Sequence, residues 1–258
     1  MEVWHMSGAG NDFMVLDARG KTFDFEALSK SLCALTGADG FMAMDTSDTA
    51  DFRLHFYNSD GTRGEMCGNG ARCICKFAYM HGAAGETMSV ETDAGIIYGA
   101  RLDEDQYRVQ LNNPGAVNLQ CCPDAAYIEL GDPGVPHSVT EDPALDWADK
   151  ETLLPRFLEI RNRTDFPKGV NVNLYRQLDE TTVRILTFER GVEDYTLACG
   201  TGSASVAAAL WLQGRLPCGH LRVENHGGTL EVTVEGHDSQ ITALYLEGPA
   251  EILKKYEV

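Results

Sequence analysis

One short motif occurs twice in this chain and carries its surroundings with it. Cys67-Gly68-Asn69-Gly70 opens a run of small and apolar residues that stops at Gly82. Cys199-Gly200-Thr201-Gly202 opens a second run that stops at Gly214, and the stop follows the cysteine by fifteen residues in both copies. Upstream lie two alternating stretches, Phe52-Arg53-Leu54-His55-Phe56 and Val183-Arg184-Ile185-Leu186-Thr187-Phe188. Each leads into a polar loop, Asn58-Ser59-Asp60-Gly61 in one copy and Glu189-Arg190-Gly191 in the other. Downstream, residues 88–95 and 221–228 both pattern as hairpins. The copies are offset by 131 to 133 residues, about half of a 258-residue chain. Several elements repeated in one order at nearly one offset restrict the fold to two similar halves.

Within that frame the patterning predicts helices over 71–81 and 203–213, each with a glycine-rich start and a glycine stop. Two more are expected over 25–35 and 147–160, the first with a face of Leu28, Leu32 and Leu35. Further strands are expected at 12–17, 106–111, 127–130, 170–175, 229–235 and 241–246. Each half is thus strand-rich with two helices, an α/β (α+β) chain. Asn112-Asn113-Pro114-Gly115 marks the boundary, giving halves of 1–114 and 115–249. Two similar halves are expected to pack about a pseudo-twofold axis, with the two Cys-Gly-x-Gly turns facing each other across a cleft.

Composition narrows the function. Asp and Glu number 39 against 21 Lys and Arg, a net charge of -18, which argues against nucleic-acid partners and against anionic membrane surfaces. The apolar stretch 205–212 is too short to span a bilayer. Met1-Glu2-Val3-Trp4-His5 has neither the basic nor the apolar region of a secretory leader, so a cytoplasmic setting with reduced thiols is expected. The eight cysteines show no zinc-type spacing. Cys73 and Cys75, two apart on a helix, point to different faces. No metal cluster, no pyridoxal-phosphate lysine motif and no dinucleotide-type glycine fingerprint is evident, so the expected cofactor is none and the expected metal is none.

The repeated cysteines carry the chemistry. A thiol just before a helix sits at the positive end of the macrodipole, which favours its thiolate. The glycines beside it let backbone N–H groups close on an anion. One such unit is usually structural, but packing gives no reason for cysteine at both equivalent positions. Two opposed thiols suit stereoinversion at carbon, in which one thiolate removes a proton and the other thiol returns one from the opposite face.

The chain resembles the diaminopimelate epimerases, which invert an amino-acid centre without a cofactor in lysine and cell-wall precursor biosynthesis. The resemblance rests on residues 7–13 (Ser-Gly-Ala-Gly-Asn-Asp-Phe), Gly37-Ala38-Asp39-Gly40, Tyr57-Asn58-Ser59-Asp60-Gly61 and Met66-Cys67-Gly68-Asn69-Gly70-Ala71-Arg72-Cys73. It continues through Pro136-His137, Phe166-Pro167, Val170-Asn171-Val172, Glu189-Arg190-Gly191 and residues 197–202. It implies two domains, each a curled mixed sheet around a central helix, with the active site in the cleft between them. It also implies that residues 250–258 return to the first domain, and that the protein is a homodimer acting on a small amino-acid substrate. Cys67 and Cys199 match the catalytic pair. His137 and Glu189 match groups flanking the reacting centre. Asn11, Asn58, Gly68, Asn69, Asn171, Glu189, Arg190, Gly200 and Thr201 match the substrate-binding set.

Taken alone, Asn58-Ser59-Asp60-Gly61 is turn chemistry, Pro136-His137 is a loop dipeptide, and Glu189-Arg190 is a solvated pair. The equivalence of the last to the Asn58 loop weakens that reading. Cys33, Cys73, Cys75, Cys121, Cys122 and Cys218 read as structural, and Trp4, Phe13, Phe23 and Phe25 as core. Three positions depart from the family pattern: Val135 where many members have Asn, Gly40 where some have Gln, and a loop over 191–196 one residue longer than usual. A racemase of another amino acid with the same thiols stays open for that reason. A phenazine-type isomerase lacks paired cysteines. A non-enzymatic binding protein would not need both motifs intact.

Overall fold

The computed structural model describes residues 1–64 and 67–258; Met66 of the first cysteine motif lies outside the described residues. By backbone contacts the chain divides into two units, residues 1–110 with 247–258, and residues 111–246.

The first unit contains β1 (Glu2–Gly8), β2 (Asn11–Asp17), α1 (Phe25–Thr36), β3 (Gly40–Asp45), β4 (Phe52–Asn58), α2 (Gly68–Met80), β5 (Thr87–Thr92), β6 (Gly95–Arg101) and β7 (Gln106–Leu111). The second contains β8 (Pro114–Cys122), β9 (Ala125–Gly131), β10 (Gly134–Glu141), α3 (Lys150–Arg161), β11 (Asn171–Gln177), β12 (Thr182–Glu189), β13 (Asp194–Thr196), α4 (Gly200–Leu212), β14 (His220–Asn225), β15 (Gly228–His237) and most of β16 (Gln240–Pro249). β17 (Glu251–Glu257) runs antiparallel to β1, with Glu2 opposite Glu257 and Val3 opposite Tyr256.

The duplication is one of topology as well as sequence. In the first unit β2 pairs parallel with β3, β3 antiparallel with β4, β4 parallel with β5, and β5 antiparallel with β6. In the second, β10, β11, β12, β14 and β15 repeat the same sequence of pairings. Mixed sheets of this kind curl around one helix in each unit. α2 touches β1, β2, β3 and β6, and α4 touches β9, β10, β11, β14 and β15. Both helices are 13 residues long. α4, Gly-Thr-Gly-Ser-Ala-Ser-Val-Ala-Ala-Ala-Leu-Trp-Leu, is apolar or small on every side, as a helix enclosed by a sheet must be. Gly82 and Gly214, at φ of 64° and 71°, take the left-handed conformation that ends each helix.

α1 and α3 cover the outer faces. Asp24 caps α1 by accepting from the Ala27 N–H, and Gly37 closes it at φ of 77°. Its buried face is Ser29, Leu32 and Cys33 with Leu28 beside them. The expected third member of that face, Leu35, is 64% exposed. The helix contacts the sheet one residue further round, where the Ser29 hydroxyl donates to the Asn58 carbonyl at 2.6 Å. The expected helix over 147–160 is a 3₁₀ turn (Trp147–Asp149) followed by α3, in which Phe157 and Ile160 reach the core of the second unit. Trp4 and Phe13 are core residues, and Phe23 and Phe25 pack partly buried against the first core.

Candidate active site

Cys67 and Cys199 are the N-cap residues of α2 and α4. Both helices begin at the glycine after the cysteine, three residues earlier than the apolar patterning indicates, so the glycines form the first turn itself. At Cys199 the sulfur accepts from the Gly202 N–H at 3.3 Å and lies 3.5 Å from the Thr201 hydroxyl. Cys199 is buried and Cys67 half-buried. At each cap the first-turn N–H groups carry the positive end of an enclosed helix, where little water screens it.

The chain around Cys67 is built for close approach. A side chain on Gly8 would press on the Asn69 carbonyl at 2.6 Å, so β1 meets the first turn of α2 only with glycine there. The buried Asn69 amide donates to Asn11 Oδ1 at 2.5 Å, and Asn11 in turn donates to Asp39 Oδ2 at 3.2 Å. The same carboxylate oxygen accepts from the Asp12 N–H at 3.0 Å. Asn58 ends β4 opposite Gly40 and donates from its side chain to Thr62 Oγ1 at 2.9 Å. The next residue, Ser59, donates from its backbone to the Asp39 carbonyl at 3.1 Å. Asn69 is therefore linked through Asn11 to Asp39, which also anchors the Ser59 backbone beside Asn58 and to which the sequence reading gives no role.

Around Cys199 the organising residue is Asn173, which that reading also passes over. It lies fully buried on β11, two residues past Asn171 and so on the same face of the strand. Its amide nitrogen faces the Ser138 carbonyl at 2.9 Å and the Asn171 carbonyl at 3.3 Å, and its oxygen accepts from the Thr187 hydroxyl at 3.0 Å. The same nitrogen lies 3.1 Å from His137 Nδ1, and because an amide nitrogen cannot accept, Nδ1 meets it as the acceptor that shares its hydrogens. Asn171 is the direct partner of His137 in the parallel β10–β11 ladder, and its side chain accepts from the Arg190 N–H at 2.8 Å. Arg190 is exposed and donates from Nη1 to the Lys168 carbonyl at 2.7 Å. Glu189 is the half-buried last residue of β12. Asn173 also lies where a side chain on Gly202 would point, which ties β11 to the first turn of α4.

His137 sits in a strand, not in a loop. Pro136 is tolerated because it precedes the first residue of the β10–β11 ladder. The ring is fully buried, and that burial, helped by the charge of Arg190, pushes its pKa down to about 3. It is therefore neutral. With Nδ1 accepting from Asn173, the proton is on Nε2, a buried donor with no partner among the described residues. Such a group donates a hydrogen bond and does not act as a general base at neutral pH.

A family model described as diaminopimelate epimerase matches residues 3–117 and 131–253.

The chain belongs to the diaminopimelate epimerase family.

It is 36% identical to the diaminopimelate epimerase of Chlorobaculum tepidum over 252 residues, covering 95% of this chain and 96% of that one. It is 34% identical to the diaminopimelate epimerase of Aquifex aeolicus over 267 residues, covering 96% and 94%. Among solved structures, a phenazine biosynthesis protein of the PhzF family from Bacillus anthracis has a TM-score of 0.73 at 17% identity, covering 100% of this chain and 98% of that one. At that identity the likeness is one of fold.

The three positions singled out in the sequence, Gly40, Val135 and the 191–196 loop, have these structural settings. Gly40 is buried, and any side chain there would meet the Phe56 ring and the Tyr57 carbonyl at 2.9 Å. Val135 lies on β10 two residues before His137, on the same face of the strand, and is 39% exposed. The 191–196 loop contains Glu193 at φ of 54° and is tied to α3 by an Arg161–Glu193 ion pair of 2.7 Å. A separate cavity of about 700 Å³, with Cys121, Cys122, Asp124 and Arg215 in its wall, includes none of the residues around Cys199.

Proposed function

We propose that this chain converts LL-2,6-diaminopimelate to the meso form without a cofactor, with Cys67 and Cys199 as the acid/base pair. The observation that carries this reading is the placement of a cysteine at the N-cap of the enclosed helix in each of two topologically equivalent units. One thiolate takes the α-proton as the other thiol delivers a proton to the opposite face. Proton count and charge are conserved, and reversal exchanges the roles. The Gly68–Asn69 and Gly200–Thr201 turns bind the reacting carboxylate, where helix N-termini stabilise the negative charge that builds as the α-proton leaves. His137 donates from Nε2, and Glu189 flanks the same centre. Arg190, with Asn11, Asn58 and Asn171, takes the second amino-acid head group, for which a planar guanidinium fork is suited. The protein acts as a homodimer in the cytoplasm. No helix among the described residues is long and apolar enough to cross a membrane.

The test is α-proton exchange in deuterium oxide across a panel of amino acids, read by mass spectrometry. Diaminopimelate should exchange far faster than lysine, alanine or histidine, because a polar site penalises substrates that leave its groups unpaired. Faster exchange with a monocarboxylic amino acid would remove the substrate assignment and leave a two-thiol racemase. Gly40 and Val135 are the positions that would then explain the change.

A further inference from the structure

Arg72 lies in the second turn of α2 and is fully buried. The chain is rich in carboxylates, and arginines such as Arg19, Arg108, Arg163 and Arg215 each sit on one. Arg72 has none among the described residues. Its Nε donates to the Pro249 carbonyl at 3.3 Å, its Nη1 to the Gly68 carbonyl at 3.4 Å, and its Nη2 is a buried donor without a partner among the described residues. A buried cation so poorly compensated is costly unless a negative charge lies nearby. The groups within its field are the thiols of Cys73, Cys67 and Cys75.

Two of those thiols are unable to supply the charge. Cys73 and Cys75 are completely buried, and burial pushes each up to about 12. Cys67 is different, being half-buried at the helix N-cap and flanked by Gly68, whose carbonyl holds the guanidinium. The other charged groups on or against α2 have partners of their own. Lys76 pairs with Asp105, Asp12 of β2 with His5 of β1, and Arg101 of β6 with Glu86. Asp45 of β3 pairs with His55, Asp17 of β2 with Arg19, and Glu2 of β1 accepts from Trp4 and lies 4.0 Å from His81. In the duplicated helix the position equivalent to Arg72 is Ala204.

We infer that Arg72 is a positioning residue that never touches substrate: its buried guanidinium, which meets no carboxylate among the described residues, holds Cys67 as the thiolate, and the lack of a counterpart in α4 makes Cys199 the less acidic of the pair. This rests on Cys67 being a catalytic base, but its test needs no substrate. The full-length protein is treated with iodoacetamide over pH 5 to 10, and labelling of Cys67 and of Cys199 is followed separately by peptide mass spectrometry. In the unmodified protein the midpoint for Cys67 should lie below that for Cys199. Arg72→Met should slow Cys67 labelling at pH 7 about tenfold, the effect of a single nearby opposite charge. The high-pH plateau should be unchanged, and so should the Cys199 midpoint. Arg72→Lys, which keeps the charge, should restore the Cys67 midpoint. An equal or higher midpoint for Cys67 than for Cys199 in the unmodified protein overturns the inference, even if Arg72→Met fails to fold. So does a folded Arg72→Met with an unshifted Cys67 midpoint. Failure of the deuterium test with these midpoints intact would instead count against the substrate reading.

Discussion

Asn173 decides which nitrogen of His137 carries the proton, and burial decides that there is only one. Unfolded, the same imidazole has an ordinary pKa of about 6.5. The unfolded chain therefore binds a proton below that pH while the folded chain does not, until about pH 3. Stability from this residue is complete above pH 6.5 and is lost as pH falls through that window. His137→Gln should accordingly show a shallower fall in Tm between pH 6.5 and pH 4 than the unmodified protein, with turnover reduced at every pH. A Tm that falls equally steeply in the variant would mean that the ring is not held neutral. Cys67→Ala and Cys199→Ala should each abolish conversion of a pure stereoisomer while leaving the circular dichroism spectrum intact. Cys73→Ala should keep turnover and lose only about 1 kcal/mol of stability from a lost buried sulfur. Wild-type-like conversion by either N-cap variant would sink the two-thiol mechanism.

At the scale of elements, the first turn of α4 is a tight joint of the second unit. Gly202→Ala would bring a methyl into Asn173 Oδ1, with Cys199 Sγ and Thr187 Oγ1 each at 3.2 Å. An overpacked core position of this kind costs about 1–3 kcal/mol. Relief by displacing Asn173 would also free His137 to change tautomer. The variant should therefore lose activity out of proportion to its drop in denaturation midpoint, and proportional losses would show that Asn173 is only packing. This joint also marks where the sequence stops being readable. The α2 and α4 helices, their glycine stops and the paired hairpins follow from local patterning, since capping and alternation are local rules. β1, β3, β8, β10, β13 and β17 do not. β17, Glu-Ile-Leu-Lys-Lys-Tyr-Glu, is a strand because β1 offers it a partner from the other end of the chain. β10 contains a proline, which masks it as a loop. Asp39, Arg72 and Asn173 escape for a related reason. Each acts through a neighbour that only the fold supplies, although the two-residue spacing of Asn171 and Asn173 on a strand was a usable hint.

At the scale of the molecule, the first unit is closed by distant chain. β17 covers one edge of β1, Tyr256 packs against the core cluster of Val3, Met14 and Phe41, and Pro249 holds the Arg72 guanidinium. Deleting residues 250–258 should cost the first unit about 3 kcal/mol or more, from Tyr256 and Ile252 together with the exposed β1 edge. Thermal unfolding should show the loss, and an unchanged Tm would mean that β17 is peripheral. The division of the chain also bears on synthesis. Residues 111–246 form one continuous stretch, whereas the other unit joins residues 1–110 to 247–258. A ribosome therefore releases everything the second unit needs while the first still lacks a strand. The half made first is the half that finishes last, and its β1 edge must stay unpaired in the nascent chain until residues 247–258 emerge.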